Sequence, residues 1–237
     1  MSRGKVNALD VELLRALLDS LDDVEASPVA GIVLTGAGPA FSAGVDLIRL
    51  LEEGSEYVRV FIPLLDECFR RLFSFPKPTV AAVNGHAIAG GYILMSACDR
   101  RIMACGNARV GVPELMVGVP FPAMALEVLR SVNSATFRDL IYTGILLGAE
   151  EAKNRGIVDA LVPAEDLGCR AYEEARRLAS IPSRTYRIVK RILVAPALER
   201  AATSDSHLGA EVLSIWESPE TAEVIRRYLA RTIKRDK

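Results

Sequence analysis

Three short segments carry residue types that could do chemistry together. They are Phe41-Ser42-Ala43-Gly44-Val45-Asp46-Leu47, Asn84-Gly85-His86-Ala87-Ile88-Ala89-Gly90-Gly91 and Val112-Pro113-Glu114-Leu115. In the first two, small residues follow a short apolar run and open a helix-like stretch. Small side chains let a ligand approach the backbone, and a helix start leaves N–H groups without intrahelical partners. In the third, a carboxylate stands between apolar neighbours. Desolvation raises a carboxylate's pKa toward neutrality, where it can both take up and return a proton. Two main-chain amides aimed at one carbonyl oxygen, with a carboxylate beside the neighbouring carbon, are what proton abstraction alpha to a thioester requires. A lost oxyanion donor costs about 10²–10³ in rate, and a lost general base about 10²–10⁴. For so weak a carbon acid, neither suffices alone.

Each segment also has a use that involves no ligand. Residues 41–47 suit a tight strand-to-helix loop with Asp46 as a first-turn carboxylate. Gly90 and Gly91 suit close helix-to-strand packing. Glu114 suits an exposed loop. The conjunction of all three is what points to a site. His86 reads as a loop residue, since no serine nucleophile motif accompanies it. Gly36-x-Gly38 follows a strand, but Phe41 stands where a dinucleotide fingerprint needs its third glycine, and the loop does not enter a helix directly.

The elements that must hold these segments follow from periodicity. After an entry at Asn7–Asp10, the leucines at 13, 14, 17 and 21 recur at helical spacing and predict a helix to about Val24. Gly31–Thr35 and Thr79–Asn84 read as buried strands closed by glycine, with a loop over 36–44 between Gly36 and Gly44. A helix is predicted over Tyr57–Phe73, stopping before Pro76 and Pro78, and another from Gly90 through Cys98. A strand follows at Arg101–Ala104, then helices at Phe121–Ser131, Ser134–Thr143 and Ala149–Arg155, and a last strand at Ile157–Val162. From Ala164 onward every strong segment is helical. The pattern predicts an α/β core over 1–180 and a helical segment over 181–237.

Composition narrows the function classes. Half of the 237 residues are hydrophobic, a quarter are charged, and the formal net charge is −1. Such a chain has material for a core and no bulk attraction to nucleic acid or anionic membrane. Clusters such as Arg226-Arg227 read as solvated helix faces. Cys68, Cys98, Cys105 and Cys169 form no C-x-x-C pair, and His86 and His207 lie far from zinc-ligand spacing, so no metal site is expected. Free thiols without an apolar signal core lead to the expectation of a reducing, cytoplasmic compartment.

The order Phe-Ser-Ala-Gly-x-Asp-Leu, Ala-x-Asn-Gly with Ala-Gly-Gly, Cys-Asp-x-Arg-Ile-Met-Ala, Pro-Glu and then Gly-Ile-Val-Asp at 156–159 resembles the crotonase (enoyl-CoA hydratase/isomerase) superfamily from about Asn7 to the C-terminus. The resemblance implies an α/β fold, a crotonase-like spiral of ββα repeats, followed by helices over 181–237 that mediate trimer formation. It implies an acyl-CoA substrate, a homotrimer or dimer of trimers, no metal or redox cofactor, and coenzyme A arriving only as part of the substrate. The backbone N–H groups of Ala43 and Gly90 would form the oxyanion hole. Gly44, Val45, Asp46, Leu47, Gly91 and Pro113 would line the substrate path, with Phe41 and Ser42 beside it, and Glu114 would be the catalytic acid/base.

Two departures refine that implication. The hydratase pattern carries a first glutamate in a Gly-Gly-x-Glu sequence, and Ile93 stands at that position. Isoleucine cannot hold or deprotonate water, whereas one carboxylate can still carry a proton from C2 to C4. That chemistry belongs to the mitochondrial-type Δ3-Δ2-enoyl-CoA isomerases, which keep only the second glutamate. Ile181-Pro182 and the Gly118–Pro122 stretch point to the same branch. Weak hydration, hydrolysis or decarboxylation, and acyl-CoA binding without turnover, stay open. The second departure is at the start: family members carry a strand pair ahead of the segment matching Gly4–Asp10, and this sequence begins almost there, which leaves the first layer of the spiral open.

Overall fold

The computed structural model describes residues 1–132 and 137–233. Helix α1 (Val11–Ala26) begins one residue after Asp10, whose carboxylate caps it by accepting from Leu13 N at 2.8 Å. The cap falls at the end of the entry expected over Asn7–Asp10, and Asn7 itself holds a turn at φ 52. Three ββα units follow: β1 (Ile32–Thr35), β2 (Ala40–Ser42) and α2 (Leu47–Phe73); β3 (Thr79–Val83), β4 (His86–Ile88) and α3 (Gly90–Ala97); β5 (Arg100–Ala104), β6 (Arg109–Gly111) and α4 (Glu114–Val117). Then come α5 (Ala123–Val132), α6 (Phe137–Thr143), β7 (Leu147–Gly148), α7 (Ala149–Asn154), β8 (Ala160–Val162), α8 (Leu167–Ala179), α9 (Ser183–Glu217) and α10 (Pro219–Ile233). Ser134, where one helix was expected to start, lies outside the described residues.

The first strand of each unit joins one sheet, in the order β1-β3-β5-β8 and parallel throughout. The second strand joins another, in the order β2-β4-β6-β7, with β7 antiparallel to β6. The chain therefore steps between two sheets as it advances, which is the spiral the resemblance implies. β3 is buried on both faces, as a central parallel strand must be: Val80 and Ala82 pack toward α8, while Ala81 and Val83 join the main core.

Three predicted boundaries shift for physical reasons. α2 starts ten residues before Tyr57, because Asp46 caps it; a break at Gly54 (φ 69) had masked its first turns. The last strand shortens to Ala160–Val162, since Ile157 and Val158 are buried in a turn off α7. The loops over 36–44 and 84–91 contain β2 and β4, strands of three residues each. No strand pairs with the outer edge of β1 among the described residues. The segment ahead of α1 instead lies along the 35–46 stretch, with the Met1 ammonium donating to Thr35 O at 2.6 Å.

The tail is fastened to the core by buried charge. Asp99 accepts from Thr79 N at 2.8 Å, from the Tyr186 hydroxyl at 2.7 Å and from Lys190 Nζ, and Lys190 is only 7% exposed. Glu127 on α5 accepts from Arg200 on α9 at 2.7 Å. Val194, Ala197, Ala201, Trp216 and Ile225 share the main hydrophobic cluster. Among the described residues, the buried apolar side chains of α9 and α10 thus join the same cluster as the spiral.

Candidate active site

The two glycine turns pack against each other at the ends of β2 and β4. Gly44 takes φ 83, and a Cβ there would lie 2.7 Å from Ile88 O and 2.8 Å from the Ala89 Cβ, so only glycine fits. A Cβ on Gly91 would lie 2.4 Å from Ser42 O. Ala89 adopts φ 51, a strained position for a residue with a side chain, immediately before the Gly90 amide at the start of α3. Among the described residues, that Gly90 N–H takes no hydrogen-bond partner.

The Ala43 amide does not match the expectation. It donates to Val6 O at 3.0 Å. The cause is a short parallel ladder between the segment ahead of α1 and the first turn. Leu9 N donates to Gly44 O at 2.7 Å, and Asp46 N donates to Leu9 O at 3.0 Å. The Ser42 hydroxyl donates to Asn7 O at 2.8 Å, and Asn7 Nδ2 donates to the carbonyls of Ala37 and Ala40. As the structure stands, Gly90 offers a free donor, and Ala43 offers one only when Val6 releases it.

Both turns border a cleft of about 80 Å³, whose wall includes Ala43, Ala89, Gly90 and Glu114. Of the residues expected along the substrate path, Val45, Leu47 and Pro113 line it. Gly44, Asp46 and Gly91 are not among its lining residues. Gly44 and Gly91 serve the close packing of the two turns. Asp46 caps α2 by accepting from Arg49 N at 3.0 Å and faces a separate surface hollow with Arg3, Lys5 and Arg49. Phe41 is fully buried beneath the turn. His86 is exposed, and its Nδ1 accepts from Arg109 N at 3.1 Å, a structural contact.

Glu114 is the only carboxylate on the cleft wall among the described residues. It opens the short helix α4 directly after Pro113 and is 9% exposed. Its Oε2 is buried with no hydrogen-bond partner. Burial pushes its pKa up from the ordinary 4.5 to about 8, against a smaller opposing effect of its own backbone N–H. Ile93 lines the same cleft at 1% exposure, one turn into α3 from Gly90. The remaining wall is apolar: Leu65 and Phe69 from α2, Val117 and Val119 around α4, and Phe121 and Pro122 ahead of α5.

Sequence reasoning missed the contribution of the tail. Trp216 near the end of α9 and Tyr228 on α10 close the cleft. The Trp216 indole N–H is committed to Pro120 O at 3.0 Å. α10 packs against Gly118, where a Cβ would lie 2.7 Å from Val224 Cγ1. A lone Trp and a Tyr in polar helices gave no local signal of this. Among the described residues no group of three or more His, Cys, Asp or Glu side chains could hold a metal ion, and no helix is long and apolar enough to cross a membrane.

Comparison with known proteins identifies the family and agrees with the fold. The sequence matches the family described as enoyl-CoA hydratase/isomerase over residues 1–231. A Thermus thermophilus relative, provisionally named an enoyl-CoA hydratase, is 37% identical over 235 residues, covering 95% of this chain and 90% of that one. A short-chain-enoyl-CoA hydratase of Clostridium acetobutylicum is 35% identical over 178 residues, covering 74% of this chain and 68% of the relative. The solved structure of human mitochondrial delta3-delta2-enoyl-CoA isomerase is similar with a TM-score of 0.93 at 25% identity, covering 99% of this chain and 93% of that one. A spiral of ββα turns, a buried carboxylate facing two packed glycine turns, and a profile match across nearly the whole sequence converge: the chain belongs to the enoyl-CoA hydratase/isomerase family, with the crotonase fold.

Proposed function

We propose that the protein is an enoyl-CoA isomerase that shifts a double bond from C3 to C2 of an acyl-CoA. The observation that carries this reading is a single buried carboxylate, Glu114, in a cleft where Ile93 stands at the position of the hydratase pattern's first glutamate. The thioester carbonyl accepts from the Gly90 N–H, and from the Ala43 N–H once the Val6 carbonyl yields it. Glu114, ionised, removes a proton from C2; the electron pair moves onto the carbonyl oxygen as an enolate. The enolate re-forms the carbonyl as C4 takes the proton back from Glu114, leaving the double bond between C2 and C3. Preorganised amides suit this step because charge develops on an oxygen inside an apolar cleft. One carboxylate suffices, because the proton removed is the proton returned.

The competing reading is hydration of a 2-enoyl-CoA, favoured by the hydratase names of the sequence relatives. Against it stands Ile93, which cannot position water. Incubation with a 3-enoyl-CoA, following the conjugated 2-enoyl product by absorbance, separates the two. Isomerisation faster than hydration supports the proposal; the reverse refutes it. Assembly as a homotrimer or dimer of trimers belongs to the same proposal. Its support is an apolar, solvent-facing stretch of α9 with Val189 at 49%, Ile192 at 64% and Leu193 at 73% exposure. Light scattering on the eluting protein tests it, and a monomer at micromolar concentration would refute it.

A further inference from the structure

A second cavity adjoins the cleft. It is a hollow of about 510 Å³ between α2, α5 and the middle of α9, lined by Glu67, Arg70 and Asp205 as well as by apolar side chains, and it shares Phe121 and Pro122 with the cleft. One face of α2 serves both spaces. Leu65 and Phe69 look into the cleft, while Ile62 and Asp66 look into the second cavity, the i, i+3, i+4, i+7 spacing of a single helical stripe. Residue Ala125 of α5 lines the cleft and Leu126 lines the neighbouring space. The two volumes are therefore consecutive along one groove, with the 119–122 turn between them.

That turn is held from both sides. On the tail side, Trp216 Nε1 donates to Pro120 O at 3.0 Å. On the α2 side, Asp66 Oδ1 accepts from Met124 N at 2.8 Å, at the start of α5. Phe121 sits between these anchors, buried at 6% exposure. Its side chain lines both spaces.

We propose that the second cavity is a chamber for the far end of the acyl chain, and that Phe121 sets the chain length at which it is entered. The inference rests on the acyl-CoA reading of the cleft. Short acyl chains end against Phe121. Longer ones displace the ring and bury further methylenes against Ile62, Leu126 and Leu213.

The test is a binding series with saturated acyl-CoAs from four to fourteen carbons, measured on the wild type, Leu126→Trp and Leu208→Trp. Neither residue lines the cleft, and Leu208 is 53% exposed, so a bulky side chain there is tolerated by the fold. In the wild type, affinity should rise about four-fold for each buried methylene and continue rising past the length that fills the cleft. In the variants it should stop rising at a shorter chain, while butyryl-CoA binds as before. Phe121→Ala should lower the chain length at which the chamber begins to contribute. Identical length profiles in the wild type and both tryptophan variants would overturn the chamber and leave the cleft assignment standing. Failure of every acyl-CoA to bind would overturn both. Saturated thioesters cannot be isomerised, so a protein that binds them with this profile keeps the chamber whatever reaction it catalyses.

Discussion

Replacing Glu114 by Gln should change the pH dependence of stability in a direction fixed by its burial. The folded protein holds this carboxyl at about 8, against an ordinary value of 4.5. Below pH 4.5 both folded and unfolded states carry the proton, and the group contributes no slope. Between 4.5 and 8 the unfolded chain releases the proton and the folded one keeps it, so stability falls as pH rises. Above 8 the full penalty of a buried, unpartnered carboxylate is present. At about 1.4 kcal/mol per pH unit, that window amounts to on the order of 4–5 kcal/mol, a large share of a typical domain's total stability. Glutamine is neutral throughout and lacks this slope. Urea denaturation of both proteins at pH 5, 7 and 9 measures the difference. The two should be similar at pH 5, and the variant should be the more stable by several kcal/mol at pH 9. Asp66, raised to about 6 by burial, contributes a slope of the same sign to both proteins and cancels in the comparison. Parallel stability curves would refute the claim that Glu114 is buried unpaired. Catalysis follows the opposite sign, because the base acts only when ionised: kcat/KM should climb with pH toward an apparent pKa near 8, with the variant down about 10²–10⁴-fold.

Ile93→Glu should raise hydration of 2-enoyl-CoA relative to isomerisation, because it supplies a second carboxylate at a buried position on the cleft wall; an unchanged product ratio counts against the role assigned to Ile93. Asp99→Asn should cost about 3–5 kcal/mol in denaturant unfolding, since it leaves the Lys190 ammonium buried without its ion pair. The single tryptophan, Trp216, borders the cleft, so acyl-CoA binding should change the protein's intrinsic fluorescence, and Trp216→Phe should abolish the signal while binding persists by calorimetry.

Some features could be read directly from residue order. β1 and β3 are largely apolar runs bounded by glycine or proline, and β5 is an apolar run after two arginines, each local enough to announce itself. The glycine turns at 43–44 and 90–91 were legible because only a residue without a side chain tolerates the approach found at Gly44 and Gly91. The pairing of Ile93 with Glu114 was legible because identity at fixed spacing needs no coordinates. The three-residue strands β2, β4 and β6 were not, since periodicity over so few residues carries no signal.

The site itself divides along the same line. Residue identity determined which side chain can carry a proton and which position cannot hold water. Only the tertiary structure decided how far the Glu114 carboxyl is desolvated, because that depends on walls supplied by α2, α5, α9 and α10, the last two more than a hundred residues away in the chain. It alone decided that the Ala43 amide is taken by Val6, since a main-chain hydrogen bond between distant segments leaves no trace in side-chain identity. The same holds for Trp216 and Tyr228: an aromatic residue in a polar helix is unremarkable until the helix folds back over the cleft and turns that residue into its wall.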